Sequence, residues 1–302
     1  MSSSRIQLTD DLSFSRTIPG LMRVRNWDYS PSELLDWIKQ CLDMGVTTFD
    51  NANIYGGFTA EAAFGEALAL EPSLRDKMEL VTKCDILFPN EAYPHVYLPH
   101  YDTTRDHIIA SAERSLRKLQ TETIDVLLIH RPDPLMDADE VASAFTALHE
   151  AGKVRYFGVS NFLPQHMDLL QSRLDTAIVT NQVEVSVTYL DHIYNGTLDY
   201  CQQHRITPMA WSPVGGGRLF TSDDDRSVRL RETMQRIGNN LGGTSIDQVA
   251  LAWLLQHPSK IAPVLGTGKI ERVRAAVEAE SLPMTRQQWF EILVASQGHN
   301  VP

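Results

Sequence analysis

Cysteine is scarce: the 302 residues hold three, Cys41, Cys84 and Cys201, far apart and in no C-x-x-C spacing. That leaves no disulfide framework and no thiolate metal site, and it suits a reducing compartment. Basic residues are outnumbered 27 to 38, giving a net charge of −11. Nucleic acid is therefore not an expected partner, because phosphate neutralisation needs clustered cations. A local basic pocket for a small anion remains compatible with that balance. No run of about 18 apolar residues occurs. The opening Met1-Ser2-Ser3-Ser4-Arg5-Ile6-Gln7-Leu8 lacks a signal-peptide core, so a cytoplasmic protein with no membrane partner is expected. Linkers, low-complexity segments and charge blocks are missing too. Residues 1–302 thus read as one domain, and an apolar fraction of 43% suffices for a large core.

Short apolar runs alternate with longer helical patterns along the chain. The strand candidates are 18–24, 46–50, 78–82, 124–129, 154–159, 177–185, 207–211 and 261–265. Helices are expected at 106–119, 164–174, 193–204, 245–257 and 271–280, and from a Thr59 cap through Leu70. Ser30-Pro31-Ser32-Glu33 has a cap, a proline at the first helical position and an acid three residues after the cap, which marks a helix start. Eight strand-then-helix units imply parallel strands with right-handed crossovers, a (β/α)₈ TIM barrel. A doubly wound sheet is the rival, but Gly20-Leu21-Met22-Arg23 is no phosphate turn. Residues 1–16 read as a short hairpin or cap, and 285–296 as an extra C-terminal helix.

Barrel active sites lie at the C-terminal strand ends. Three consecutive strands end there in unusual polar residues: Asp50, with Tyr55 soon after, then Lys83, then His130. Each alone has a plain structural reading: a loop carboxylate, a rim aromatic, a solvated lysine, a satisfied histidine. Together they form a proton-transfer group. A phenol of pKa about 10 is a poor donor at neutral pH. An ammonium beside it lowers that value, and a carboxylate holds the ammonium in place.

On these motifs the sequence resembles the aldo-keto reductase family, rather closely its bacterial YdhF-like subgroup. The resemblance covers nearly the whole chain. It rests on Phe49-Asp50-Asn51-Ala52-Asn53-Ile54-Tyr55-Gly56, Glu61, Gly65, Thr82-Lys83, Ile129-His130-Arg131-Pro132-Asp133 and Gly158-Val159-Ser160-Asn161-Phe162. It implies an NADPH-dependent reductase of aldehydes and ketones, acting as a monomer. Tyr55 would be the general acid, Lys83 and Asp50 would tune it, and His130 would position the substrate oxygen. No metal is expected.

Later strand ends offer cofactor contacts. Ser160, Asn161 and Gln182 carry groups that pair with a carboxamide, and the resemblance implies that use; the alternative is closure of the barrel top. Trp211 is placed to stack on a nicotinamide ring, where the family usually has Tyr. The segment Ser212, Pro213, Val214, Gly215 and Arg218 permits close approach to a pyrophosphate, or is a flexible loop. Gly266, Thr267 and Gly268 precede a helix start where Lys269 and Arg272 suit a 2′-phosphate, which favours NADPH over NADH. The alternative is a solvated basic helix face. Ala275-Ala276 replaces the acid-amide pair that many relatives use against adenine. Trp27, Phe88, Tyr93, Tyr97 and Tyr101 are candidates for an apolar substrate pocket or, equally, a packed lid. Two other function classes stay open at this point: a cofactor-binding regulatory module akin to channel β subunits, and a Schiff-base aldolase using Lys83.

Overall fold

The computed structural model describes residues 2–302; Met1 lies outside them. Eight parallel strands form the central sheet: β1 (Ile18–Pro19), β2 (Thr48–Asp50), β3 (Glu79–Cys84), β4 (Ile124–Ile129), β5 (Val154–Ser160), β6 (Thr180–Glu184), β7 (Thr207–Trp211) and β8 (Ala262–Leu265). They run in the spatial order β1-β8-β7-β6-β5-β4-β3-β2. A parallel bridge between Gly20 and Asp50, with the Leu21 N–H donating to the Asp50 carbonyl at 2.9 Å, joins β1 to β2 and closes the barrel. The expected (β/α)₈ architecture is present.

One helix follows each strand: α1 (Pro31–Asp43), α2 (Ala60–Leu68), α3 (Arg105–Leu119), α4 (Ala138–Glu150), α5 (Pro164–Gln171), α6 (Thr197–His204), α7 (Ile246–Leu255) and α8 (Ile270–Ala279). The capping box at α1 forms as expected. Glu33 N–H donates to the Ser30 hydroxyl at 3.3 Å, and Ser30 N–H to the Glu33 carboxylate at 2.8 Å. Two further helices, Asp225–Asn240 and Arg286–Gln297, pack together through Leu230, Met234 and Ile237 against Ile292 and Leu293.

Inside the barrel, Ile18, Val81, Val126, Leu128, Met209, Ala262 and Val264 form one apolar core. An antiparallel hairpin, Arg5–Gln7 with Ser13–Ser15, adds Ile6, Leu12 and Phe14 to that core and closes the end opposite the candidate site. Burying these side chains is the main favourable term holding the barrel, at about 25 cal/mol per Å² of apolar surface.

Four details depart from the sequence reading. The first strand stops at Pro19, and beyond the Gly20 bridge the chain turns into a 3₁₀ segment, Val24–Asn26, with the Val24 N–H donating to the Leu21 carbonyl at 3.0 Å. The helix expected over 193–204 is broken at Gly196, which takes a left-handed φ of 84°. Thr59 is the N-cap residue of α2, as expected, but its hydroxyl caps nothing and donates back to the Gly56 carbonyl at 2.7 Å. Helix α4, with Asp137 accepting from Asp139 N–H at 2.9 Å, had a cap signal that the sequence reading passed over.

Candidate active site

Strand geometry brings the polar residues together. Side chains alternate between the two faces of a strand. On β3, Leu80 joins the outer core and Val81 the inner one, so Lys83 points inward. On β4, Leu127 and Ile129 face outward and Val126 and Leu128 inward, which puts His130 over the barrel axis. The same parity turns Gln182 inward beside outward Val183, and Trp211 inward beside outward Ala210.

Lys83 is the centre of the arrangement. Its ammonium, fully buried, donates to both Asp50 oxygens at 2.7 and 2.8 Å, to the Asn51 carbonyl at 2.7 Å and to the Tyr55 hydroxyl at 3.0 Å. It also stands 4.8 Å from the centre of the Tyr55 ring. His130 meets Tyr55 edge-on, with ring centres 6.0 Å apart. The structure thus gathers all four residues of the expected tetrad around one point.

Burial sets the electrostatics. It pushes the Asp50 carboxyl up, against the pull of Lys83 and Gln182. Lys83 loses solvation as well, but the charges of Asp50 and Tyr55 and their hydrogen bonds hold its ammonium above the ordinary lysine value. Three close donor contacts to the carboxylate, two from Lys83 and one from Gln182, favour the ionised form of the pair. For Tyr55 burial again dominates and pushes the phenol up, while Lys83 opposes it. The net direction corrects the sequence expectation of a lowered phenol: in this setting the Tyr55 proton is retained. Burial, then the nearby Lys83 and Arg131 cations, hold His130 well below its usual range, so its ring is neutral, and Nδ1 is buried without a partner among the described residues.

The expected carboxamide contacts are wired into this network. The Gln182 amide donates to Asp50 at 2.8 Å, so it supports the tetrad directly. Ser160 donates to the Gln182 carbonyl at 2.7 Å. Asn161, at φ 61°, donates to the Ser160 hydroxyl at 2.9 Å and to the His130 carbonyl at 3.2 Å, and accepts from the Trp211 indole at 3.0 Å. Below Trp211 the chain turns through Ser212, at φ 50°, and Pro213; Val214 packs on the core, Gly215 lies against Thr188, and Arg218 opens a short helix. After β8, a side chain on Gly266 would meet nothing within 4 Å, an open stretch of backbone. Thr267 accepts from the Lys269 N–H at 3.2 Å at the start of α8. Among the described residues the exposed Lys269 and Arg272 have no ion-pair partner.

The aromatic candidates separate. Phe88 and Tyr93 each pack 4.8 Å from Phe58, with Arg114 above the Tyr93 ring, forming a packed lid. Tyr97 is 91% exposed, and Tyr101 lies on the exposed strand of a two-stranded ribbon, His100–Tyr101 with Ile86–Leu87. Trp27 stands apart from this group, on Trp37 and against Gly268, where Tyr29 also donates to the Gly268 carbonyl at 2.9 Å.

Residues 18–295 match the Aldo/keto reductase family. The chain belongs to that family. It is 55% identical over 289 residues to oxidoreductase YdhF of Escherichia coli, covering 96% of each chain. It is 47% identical over 298 residues to a 6-dehydroglucose reductase of Agrobacterium fabrum, covering 98% of this chain and 99% of that one. Among solved structures it resembles the thermostable aldo-keto reductase Tm1743, crystallised with the inhibitor epalrestat. The TM-score is 0.81 at 26% identity, over 97% of this chain and 99% of that one. No helix among the described residues is long and apolar enough to cross a membrane.

Sequence reasoning gave no role to two residues of this aldo/keto reductase that border the tetrad. Asp85 is fully buried, at a left-handed φ of 98°, and accepts from the Arg131 N–H at 2.9 Å; burial drives its carboxyl well up. Arg131 places its guanidinium 5.9 Å from the centre of the Trp211 ring. Asp85 carried a readable signal, a carboxylate two residues beyond an inward-facing lysine. Arg131 carried none beyond its place after His130.

Proposed function

We propose that the protein reduces aldehyde or ketone carbonyls to alcohols with NADPH, Tyr55 being the proton donor. One observation carries the reading: a half-buried phenol whose oxygen lies 3.0 Å from an ammonium that is itself pinned by a carboxylate. As negative charge develops on the substrate oxygen, the Tyr55 O–H gives up its proton. The Lys83 ammonium stabilises the phenolate left behind, so the cost of ionising a half-buried phenol falls as the proton moves. Asp50, with Gln182 behind it, keeps that ammonium oriented rather than free to turn toward solvent. His130, neutral across the physiological range, orients the carbonyl oxygen by hydrogen bonding without competing as an acid.

NADPH, when bound, supplies the hydride that reaches the carbonyl carbon. Lys269 and Arg272 at the start of α8, unpaired among the described residues, fit a 2′-phosphate, and the open Gly266 backbone suits close approach of a phosphate. Trp211, Ser160, Asn161 and Gln182 would hold the nicotinamide end, and the segment from Ser212 to Arg218 the pyrophosphate. Ala275 and Ala276 offer no side-chain polar group to the adenine end. The relative named a 6-dehydroglucose reductase supports carbonyl reduction as the chemistry.

A thermal-shift comparison with NADPH and NADH, followed by a carbonyl panel read by loss of cofactor absorbance, tests this. Greater stabilisation by NADPH and turnover of simple aldehydes are expected. Stable cofactor binding with no carbonyl consumed would overturn it in favour of a regulatory role.

A further inference from the structure

We propose that Arg131 selects the substrate, and that the preferred carbonyl compounds carry an oxygen, as hydroxyl or carboxylate, close to the carbonyl. The proposal rests on the reductase reading above. Arg131 follows His130, and its guanidinium, 5.9 Å from the centre of the inward-facing Trp211 ring, stands at the same mouth of the barrel. Its backbone is fixed from below. The Asp85 carboxylate accepts the Arg131 N–H at 2.9 Å, and Asp85 holds a left-handed conformation that side-chain-bearing residues rarely adopt. Asn161 braces the same segment by donating to the His130 carbonyl at 3.2 Å, while its own carbonyl takes the Trp211 indole N–H.

The side chain above this braced backbone is unspent. The half-buried guanidinium lies over the Trp211 ring, yet among the described residues it makes no hydrogen bond and no ion pair. Five N–H donors in a fixed fork are costly to leave unused where solvent is restricted. Neighbouring Glu184, the carboxylate that shares its surroundings, feels Arg218 more than Arg131 and pairs with neither. Within the tetrad no cation competes for an acceptor, because Lys83 is committed to Asp50 and the His130 ring is neutral; Arg218 is the other cation near Glu184. A planar donor fork over an aromatic face matches carboxylates and paired hydroxyls, whereas a hydrocarbon aldehyde would leave it unsatisfied.

The test compares kcat/KM within two pairs: glyceraldehyde with propanal for the hydroxyl arm, and succinic semialdehyde with butanal for the carboxylate arm. Each ratio is measured for the wild type, Arg131→Met and Arg131→Lys. The wild type should favour the oxygenated member in at least one arm, and that ratio should fall about 10- to 100-fold in Arg131→Met, with Arg131→Lys between. The arm that responds tells hydroxyl from carboxylate recognition. Ratios that stay within about threefold of wild type in both arms would overturn the assignment while leaving the reductase reading standing. A wild type that reduces none of the four aldehydes would overturn the reductase reading and this one with it. If Arg131→Met does not fold, Arg131→Lys reads the same ratio.

Discussion

Replacing Lys83 with Met isolates what the buried ion pair contributes. The ammonium makes four contacts at 2.7–3.0 Å, and its removal leaves the Asp50 carboxylate with Gln182 as its one remaining side-chain donor. A buried charge stripped of its partner costs about 3–5 kcal/mol, a large share of the roughly 5–15 kcal/mol that holds a domain folded. Unfolding entropy for a chain of 302 residues is about 0.6 kcal/mol per degree, so the melting point should drop by roughly 5–8 °C. The loss must depend on pH. Without Lys83, Asp50 has a folded pKa raised still further above its unfolded value of about 3.9. A raised acid is tolerated while protonated, and its penalty grows as pH climbs from the unfolded toward the folded pKa. The deficit should therefore be smaller at pH 6 than at pH 8. Adding Asp50→Asn removes the stranded charge, and the double variant should recover most of the loss. Urea unfolding at both pH values reads all of this. A Lys83→Met deficit below about 1 kcal/mol, the same deficit at both pH values, or additive single-variant effects would refute the buried-pair account.

Other outcomes follow from the same geometry. Because burial and two cations keep the folded His130 pKa well below its unfolded value, its share of stability is present above about pH 6.5 and lost as pH falls below it. His130→Gln should flatten that part of the stability profile, and it should lower kcat/KM roughly 10- to 100-fold by removing one oriented hydrogen bond. A side chain at Gly65 would place its Cβ 2.0 Å from the Lys118 carbonyl, where α2 crosses the end of α3. Gly65→Ala should cost about 1–3 kcal/mol in urea unfolding, and a neutral result would mean that the two helices separate freely.

The barrel was legible because its strands obey simple rules. Ile124–Ile129 is apolar but for Asp125, which is held by Arg75 and Arg155, as suits a strand covered on both faces, and its bounds match the sequence reading, as do those of Thr207–Trp211. Apolar content alone misled at residues 18–24, where a strand and a 3₁₀ turn share one composition and the hydrogen bond from the Val24 N–H to the Leu21 carbonyl separates them. The strand-end rule was enough to single out Asp50, Lys83 and His130, with Tyr55 in the loop after Asp50. Gln182 was assigned to a cofactor because its bond to Asp50 spans 132 residues and leaves no local trace. The aromatic loop residues were ambiguous for a similar reason. Composition cannot say that Phe88 and Tyr93 stack on Phe58 while Tyr97 points to solvent. The direction of the Tyr55 shift was missed because burial, which outweighs the nearby ammonium, is a property of the fold.

The central claim is that Tyr55 donates the proton, and Tyr55→Phe tests it most directly, because it removes one oxygen and keeps the ring against His130. Turnover of a simple aldehyde and NADPH affinity should be measured on the same preparation. The account predicts unchanged NADPH binding with kcat reduced about 10²- to 10⁴-fold, the usual range for losing a general acid. Turnover within about threefold of wild type would contradict it.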